Sequence, residues 1–151
     1  MLIIRRLIAS DAPALSAMLL EQPPDYIQYF IPFSFEPEDI ERKLEQATND
    51  LFMGMFWQGK IAGFFMLRGW DAGYEVPSYG VVIARHFAGK GLGKLSLDAS
   101  KSICRLSGVT RMMLKVHPDN HAAKHIYETA GFVQTGVDPQ INNLIYHYEF
   151  V

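Results

Sequence analysis

The chain has 151 residues, the size of one compact domain, and a single domain over 1–151 is expected. Hydrophobic residues make up 49% and charged residues 20%, a balance that excludes a disordered polymer. Fourteen Lys and Arg against 16 Asp and Glu leave a formal net charge of −2, which argues against nucleic acid as a partner bound by broad phosphate neutralisation.

Residues 2–8 (LIIRRLI) are β-rich and open a sheet; Arg5 and Arg6 interrupt the apolar run that a signal peptide needs. Ser10 and Asp11 offer N-cap chemistry for a helix to about Glu21, with Ala14, Leu15, Met18 and Leu19 at helical spacing. Pro23 and Pro24 stop it. The segment 22–35 (QPPDYIQYFIPFSF) is aromatic and proline-bearing, and Glu36-Pro37-Glu38 starts a second helix to about Ala47. LFMGMFW (51–57) and KIAGFFMLRGW (60–70) flank Gln58-Gly59 as a hairpin. The apolar stretch 61–67 is strand-sized, far short of the ~20 residues of a membrane span, so a cytoplasmic protein with no membrane partner is expected.

A third run, YEVPSYGVVIA (74–84), ends in a β-branched stretch suited to burial on both faces. Beyond a glycine-rich loop, Leu92, Leu95, Leu97, Ile103 and Leu106 predict a helix over about 91–106, stopped by Gly108. It carries the only cysteine, Cys104, so neither an intrachain disulfide nor a cysteine zinc cage can form. Residues 110–116 read as a strand, 119–130 as a helix ended by Gly131, and 132–137 and 144–150 as a last pair of strands. The predicted fold class is α/β: a mixed, mostly antiparallel sheet with a central parallel βαβ unit, flanked by helices.

Ala88 to Lys94 (AGKGLGK) lies between a strand and a helix. Its three glycines let the backbone approach a ligand, and the helix adds the positive end of its dipole. With Lys90 and Lys94 this forms a cradle for a pyrophosphate, and Arg85 is near enough in sequence to assist. A P-loop is excluded because Ala88 stands at its first glycine and Leu95 at its magnesium-binding hydroxyl. A dinucleotide fingerprint fails too, since the sixth position holds Lys94 or Ser96. A glycine-rich turn with no ligand remains the bland alternative.

In VHPDNHAAKHIYETAGF (116–132) a strand ends, a helix begins near Asp119-Asn120, and Ala123, Ile126, Tyr127 and Ala130 share one face. Ala122 and Ala123, one turn before Tyr127, leave room for a narrow ligand; Tyr127 alone reads equally as a core tyrosine.

Together the two motifs resemble the GNAT superfamily of acyl-CoA-dependent N-acyltransferases. VVI-ARHF-AGKGLGK resembles the superfamily's pyrophosphate loop with its preceding strand, and LKVHPDN-HAAKHIYETAGF its L-x-V-x-x-x-N…A-x-x-x-Y-E-x-x-G-F segment. The loop usually opens with Gln or Arg; here that place is Ala88, whose backbone N–H is kept. The resemblance implies acetyl-CoA as co-substrate, its pantetheine arm paired with backbone groups of Val81, Val82 and Ile83. It places the pyrophosphate on Ala88, Gly89, Lys90, Gly91, Leu92, Gly93 and Lys94, and puts Asn120 and Ala123 beside the arm. Val81 is the implied oxyanion donor and Tyr127 the implied general acid to the thiolate.

The chemistry is attack of a neutral amine on a thioester. An alkylamine of pKa ~10.4 lies ~3.4 units from its free base at pH 7, a deficit of roughly 4.6 kcal/mol, so a general base is needed. Glu75, read on the same strand as the acyl site, is the candidate, directly or through water; its alternative is a solvated residue at a strand start. His117 and Ser78 are runners-up.

The acceptor site is expected among 22–35, 68–79 and the turn near 137–143. Tyr26, Tyr29, Phe30, Phe33 and Phe35 suit sugar rings or bases, so a nucleotide-linked amino sugar is conceivable, and core packing is the default for most of them. Tyr146 and Tyr148 share one face of the last strand and His147 the other. No metal is expected, because a helix start separates His117 from His121. An N-acetyltransferase for a small primary amine leads; a peptide or protein N-acetyltransferase and a non-catalytic CoA-sensing module stay open, as do monomer and homodimer.

Overall fold

A computed structural model describes residues 1–30 and 32–151; Ile31, within the aromatic segment, lies outside the described residues. Seven strands form one sheet: β1 (Leu2–Arg6), β2 (Leu51–Trp57), β3 (Lys60–Arg68), β4 (Ser78–Ile83), β5 (Arg111–Val116), β6 (Val133–Val137) and β7 (Leu144–Glu149), in the order β1-β2-β3-β4-β5-β7-β6. Among the described residues only β4 and β5 pair in parallel, and the crossover between them is α4 (Leu92–Ser107). The remaining helices are α1 (Ala12–Glu21), α2 (Pro24–Ile27), α3 (Pro37–Gln46) and α5 (His121–Thr129). This is the mixed α/β sheet that the order of elements predicts.

Strand alternation splits the core in two. On β3, Phe64 and Met66 pack on one face with Leu15, Leu19, Ile40 and Val82, beneath α1 and α3. Phe65 and Leu67 pack on the other with Leu97, Cys104, Met112, Leu114 and Tyr146, beneath α4 and α5. An apolar run buried on both faces thus makes β3 the spine of the molecule.

One segment gains a detail and one local reading is corrected. Segment 22–35 contains a helical turn, α2, because Pro24 sits at its first position, where a missing N–H costs nothing. And 74–84 is not one strand: β4 begins only at Ser78, and β3 stops at Arg68 rather than residue 70. Residues 69–77 form a turn-rich loop, with Gly69 and Gly73 at φ of 122° and 91°. Its amides are taken locally: Asp50 Oδ1 accepts from the N–H of Gly69 and of Asp71, each at 3.0 Å. Asp71 in return accepts from Thr48 N (2.9 Å), Thr48 Oγ1 (2.6 Å), Asn49 N (2.7 Å) and Asp50 N (3.2 Å). Backbone groups engaged in this way are not available to a sheet ladder.

Candidate functional site

β4 and β5 are neighbours yet pair only at Ser78↔Met113, where Met113 N–H donates to the Pro77 carbonyl at 2.9 Å. Beyond that point the strands part. Alternation decides which backbone groups face the gap: Pro77 bonds to β5, and Ala84 N–H donates to Ala62 on β3 at 2.8 Å. Odd-numbered residues of β4 therefore face the gap and even-numbered ones face β3. Val81 and Ile83 turn their N–H and C=O into the opening, whereas those of Val82 are directed to Phe64, its register partner. Of the three residues expected to pair with the arm, Val81 and Ile83 thus turn their backbone to the gap and Val82 turns its backbone to β3. Of these, the Ile83 carbonyl already accepts from the Tyr26 hydroxyl at 2.7 Å. The gap is a cavity of about 210 Å³ lined by Tyr26, Tyr29, Val81, Ile83, Asn120 and Tyr127, among others.

The glycine loop stands at the exit of β4. A 3-10 turn, Arg85–Phe87, leads to Ala88, Gly89 and Lys90, and Gly91 is the N-cap of α4. Gly89 and Gly91 have φ of 75° and 87°, a conformation that side chains resist. A Cβ at Gly89, Gly91 or Gly93 would meet no protein atom within 4 Å, so the glycines leave an open concavity. Leu92, Gly93 and Lys94 carry first-turn N–H groups without intrahelical acceptors. Lys94 Nζ bonds Asp98 Oδ2 at 2.8 Å on the surface, and Lys90 is exposed. These features fit a pyrophosphate, and the parted strands fit a narrow arm leading from it.

The N-terminus of α5 closes the far side. Asn120 is its N-cap and accepts from Ala123 N at 3.3 Å, so one side chain both starts the helix and lines the gap. Tyr127, two turns on, is half-buried, its ring edge-on to Tyr79 (6.3 Å) and Phe132 (5.8 Å). Its hydroxyl has no hydrogen-bond partner among the described residues, and burial pushes its pKa up to about 12. Behind it, the buried Tyr79 hydroxyl contacts Ser96 Oγ at 2.7 Å, and Ser96 Oγ donates to Gly93 O at 2.8 Å. Tyr79 is therefore the donor to Ser96, and burial raises its pKa strongly. This relay pins the glycine loop to β4. It was not foreseen, although Ser96 and Ser100, i and i+4 on a leucine-lined helix, mark a buried polar row.

On the α1/α3 face of the sheet, β4, β5 and β7 are left uncovered and floor a second cavity of about 1070 Å³. Arg68, Glu75, Ser78, Gly80, Lys115 and His147 line it, and it shares Tyr29, Phe30, Tyr79, Gly80 and Lys115 with the gap. Glu75 is an exposed residue of the 69–77 loop on this wall, not on the strand of the acyl site, because the 69–73 turns hold the chain off the sheet and β4 begins only at Ser78. Ser78 opens β4, and His117 stacks on Tyr29 (4.5 Å) while its Nδ1 accepts from Asp119 N. Phe30, Phe33 and Phe35 pack on the core beside Phe52 and Phe64, whereas Tyr26 and Tyr29 reach the gap. Tyr146 is buried and donates to Glu128 Oε1 at 3.1 Å, and His147 contacts Thr135 Oγ1. Among the described residues no cluster of His, Cys, Asp and Glu could hold a metal ion, and no helix is long and apolar enough to cross a membrane.

The comparisons agree with this architecture. Among solved structures, the PaiA N-acetyltransferase of Thermoplasma acidophilum in complex with coenzyme A superposes with a TM-score of 0.82 at 18% identity, over 99% of each chain. A ribosomal-protein-S5-alanine acetyltransferase from Vibrio fischeri gives 0.81 at 15% identity, over 98% of this chain and 92% of that one. An acetyltransferase from Salmonella typhimurium that modifies the N-terminal serine of ribosomal protein L7/L12 gives 0.80 at 18% identity, over 99% and 95%. No curated protein matches the sequence. Residues 15–132 match the acetyltransferase (GNAT) family, a span that runs from α1 to the end of the Tyr127 helix and holds both motifs. The chain belongs to the acetyltransferase (GNAT) family and is an N-acetyltransferase acting with acetyl-CoA.

Proposed function

We propose that the chain moves the acetyl group of acetyl-CoA to a primary amine of a small molecule, in one step within a ternary complex. The observation that carries this reading is the meeting of two cavities at Gly80 on β4: a narrow gap between parted strands, and a broad pocket on one face. A pocket of this size, walled by α3, the 69–77 loop and the 141–143 turn, suits a small ligand.

When bound, acetyl-CoA supplies an activated acyl thioester. Val81 N–H, facing the gap, donates to the oxygen as it gains charge. Glu75 accepts the ammonium proton, directly or through water, leaving the nitrogen lone pair to form the C–N bond as C–S breaks and CoA leaves as thiolate; the second proton of the nitrogen passes to solvent water as the amide forms. Tyr127 donates a hydrogen bond to the departing sulfur. A tyrosine of pKa about 12 facing a thiol of ~8.5 makes complete transfer uphill by roughly 5 kcal/mol, so it holds its proton and stabilises the thiolate by donation. Ala88 to Lys94 would bind the pyrophosphate through backbone N–H groups, and Asn120 and Ala123 would border the arm.

A second reading, acetylation of a peptide N-terminus, is supported by the names of the Vibrio and Salmonella neighbours. Calorimetric titration with acetyl-CoA, with ATP and NAD as controls, tests the shared part: saturable binding of acetyl-CoA alone is expected, and its absence overturns the reading. Screening of amines, amino sugars and peptides for thiol release then separates the two acceptor classes.

A further inference from the structure

Four cations line the broad pocket: Lys43, Arg68, Arg111 and Lys115. Two of them are neutralised in place. Lys115 Nζ bonds Asp138 Oδ2 at 2.8 Å, and Arg111 pairs with Glu149 at 3.8 Å. Arg68 and Lys43 make neither a hydrogen bond nor an ion pair among the described residues; instead both lie over the Phe33 ring, at 5.7 and 5.8 Å from its centroid. Of the acids on the same wall, Asp71 spends both oxygens on the 48–50 turn and Asp50 spends Oδ1 on the N–H groups of Gly69 and Asp71, while the charge of Asp50 acts on Arg68 through space without an ion pair. Glu75 is exposed. Arg68 is half-buried, and desolvation lowers its pKa while the field of Asp50 opposes this only in part, with no hydrogen bond or ion pair between them.

From these observations we infer that Arg68 and Lys43 form an anion subsite, and that the acceptor is a small amine carrying a phosphate or other anionic group. The inference rests on the acetyltransferase reading above and narrows its substrate class. Register sets the spacing. Arg68 pairs with Ser78 and Met66 with Gly80, so Arg68 stands two residues along β3 from the point where the cavities meet. Two strand residues span about 7 Å, and the amine and anionic group of the acceptor should be separated by about that length. An amino sugar phosphate meets this requirement; an α-amino acid, whose two groups are one carbon apart, does not. Phe33 lies against both cations and so fixes them side by side on this wall.

The test compares kcat/KM for glucosamine 6-phosphate and glucosamine with acetyl-CoA, and for the tripeptides Ser-Glu-Asp and Ser-Ala-Ala. The phosphate ester is expected to exceed its parent amine by roughly 10- to 100-fold, the range of a hydrogen-bonded charge pair, mainly through KM. In Arg68→Met that ratio should fall to near one, with a smaller fall in Lys43→Met, whose exposed position spares the fold. Acetyl-CoA titration of both variants serves as the folding control. A wild-type ratio near one, or a ratio that survives Arg68→Met, overturns the subsite. An advantage confined to the acidic peptide overturns the small-molecule acceptor. If acetyl-CoA binds and calorimetry with the CoA-saturated protein shows no binding of glucosamine 6-phosphate, the anion subsite falls while the acetyltransferase reading stands. Failure to bind acetyl-CoA removes both.

Discussion

Tyr127 shows how one residue can be read three ways until its neighbours are known. At helical spacing it is a core tyrosine; by motif it is a proton donor; in place it is a half-buried ring with a hydroxyl that bonds none of the described residues. Tyr127→Phe keeps both edge-on ring contacts and breaks no hydrogen bond, so stability should change by less than about 1 kcal/mol. Turnover should fall roughly 10²- to 10⁴-fold, with acetyl-CoA binding nearly intact. Steady-state kinetics beside a thermal melt check this, and an unchanged turnover removes Tyr127 from the mechanism. A second single-residue distinction concerns Val81 and Val82. Adjacent and chemically alike, they differ because strand alternation sends one backbone to the gap and the other to β3.

At the scale of an element, the first turn of α4 separates what serves the fold from what serves a ligand. Gly91 is needed for its φ of 87°, but Gly93 lies inside the helix and its missing Cβ would meet nothing in the protein. Gly93→Ala should therefore leave stability unchanged or raise it by up to about 1 kcal/mol, since alanine is the better helix former. The same methyl group intrudes on the proposed pyrophosphate cradle and should weaken acetyl-CoA binding about tenfold. Opposite signs in a thermal melt and a calorimetric titration are the expected result. Unchanged affinity would take the ligand away from this turn. The Tyr79–Ser96–Gly93 relay belongs to the same element: a helix whose first turn must present amides is tied down by a buried side-chain hydrogen bond.

For the molecule as a whole, the loop that walls the broad pocket is held by carboxylates, and this gives stability a pH dependence. Four hydrogen bonds keep Asp71 far below the usual carboxylate range. Asp11, bonded to Arg5 and to Ile8 N–H, and Asp138, bonded to Lys115, are lowered as well. A group whose folded pKa is depressed contributes stability that is complete above its unfolded pKa of ~3.9 and is lost as pH falls through the folded value. The melting temperature should thus drop on acidification below about pH 4. Asp71→Asn should melt lower at pH 7 and show a shallower acid limb than the wild type. Parallel curves for the two proteins would show that the clasp does not set the acid limb.

Much of the fold was legible in the residues themselves. The double-faced apolar run at 61–67, the Gln58-Gly59 turn (both at positive φ), and the glycine stops at 108 and 131 are local chemistry, and each stands where pattern and propensity place it. The two motifs that carry the family match are likewise contiguous segments, and proximity in sequence makes them readable. What the linear order concealed depends on contacts across long separations. The turn that ends β3 is held across about twenty residues, where Asp50 takes the amides of Gly69 and Asp71 and Asp71 in return takes those of 48–50. The parting of β4 from β5, the uncovered floor of the broad pocket, and the placing of Lys43 and Arg68 together over Phe33 come from three or more elements meeting. Local sequence determined the elements and the acetyl-CoA motifs, because backbone conformation and side-chain periodicity are short-range properties. Tertiary structure alone decided which charges remain unneutralised and which face is left open, because desolvation and pairing depend on whatever packs nearby.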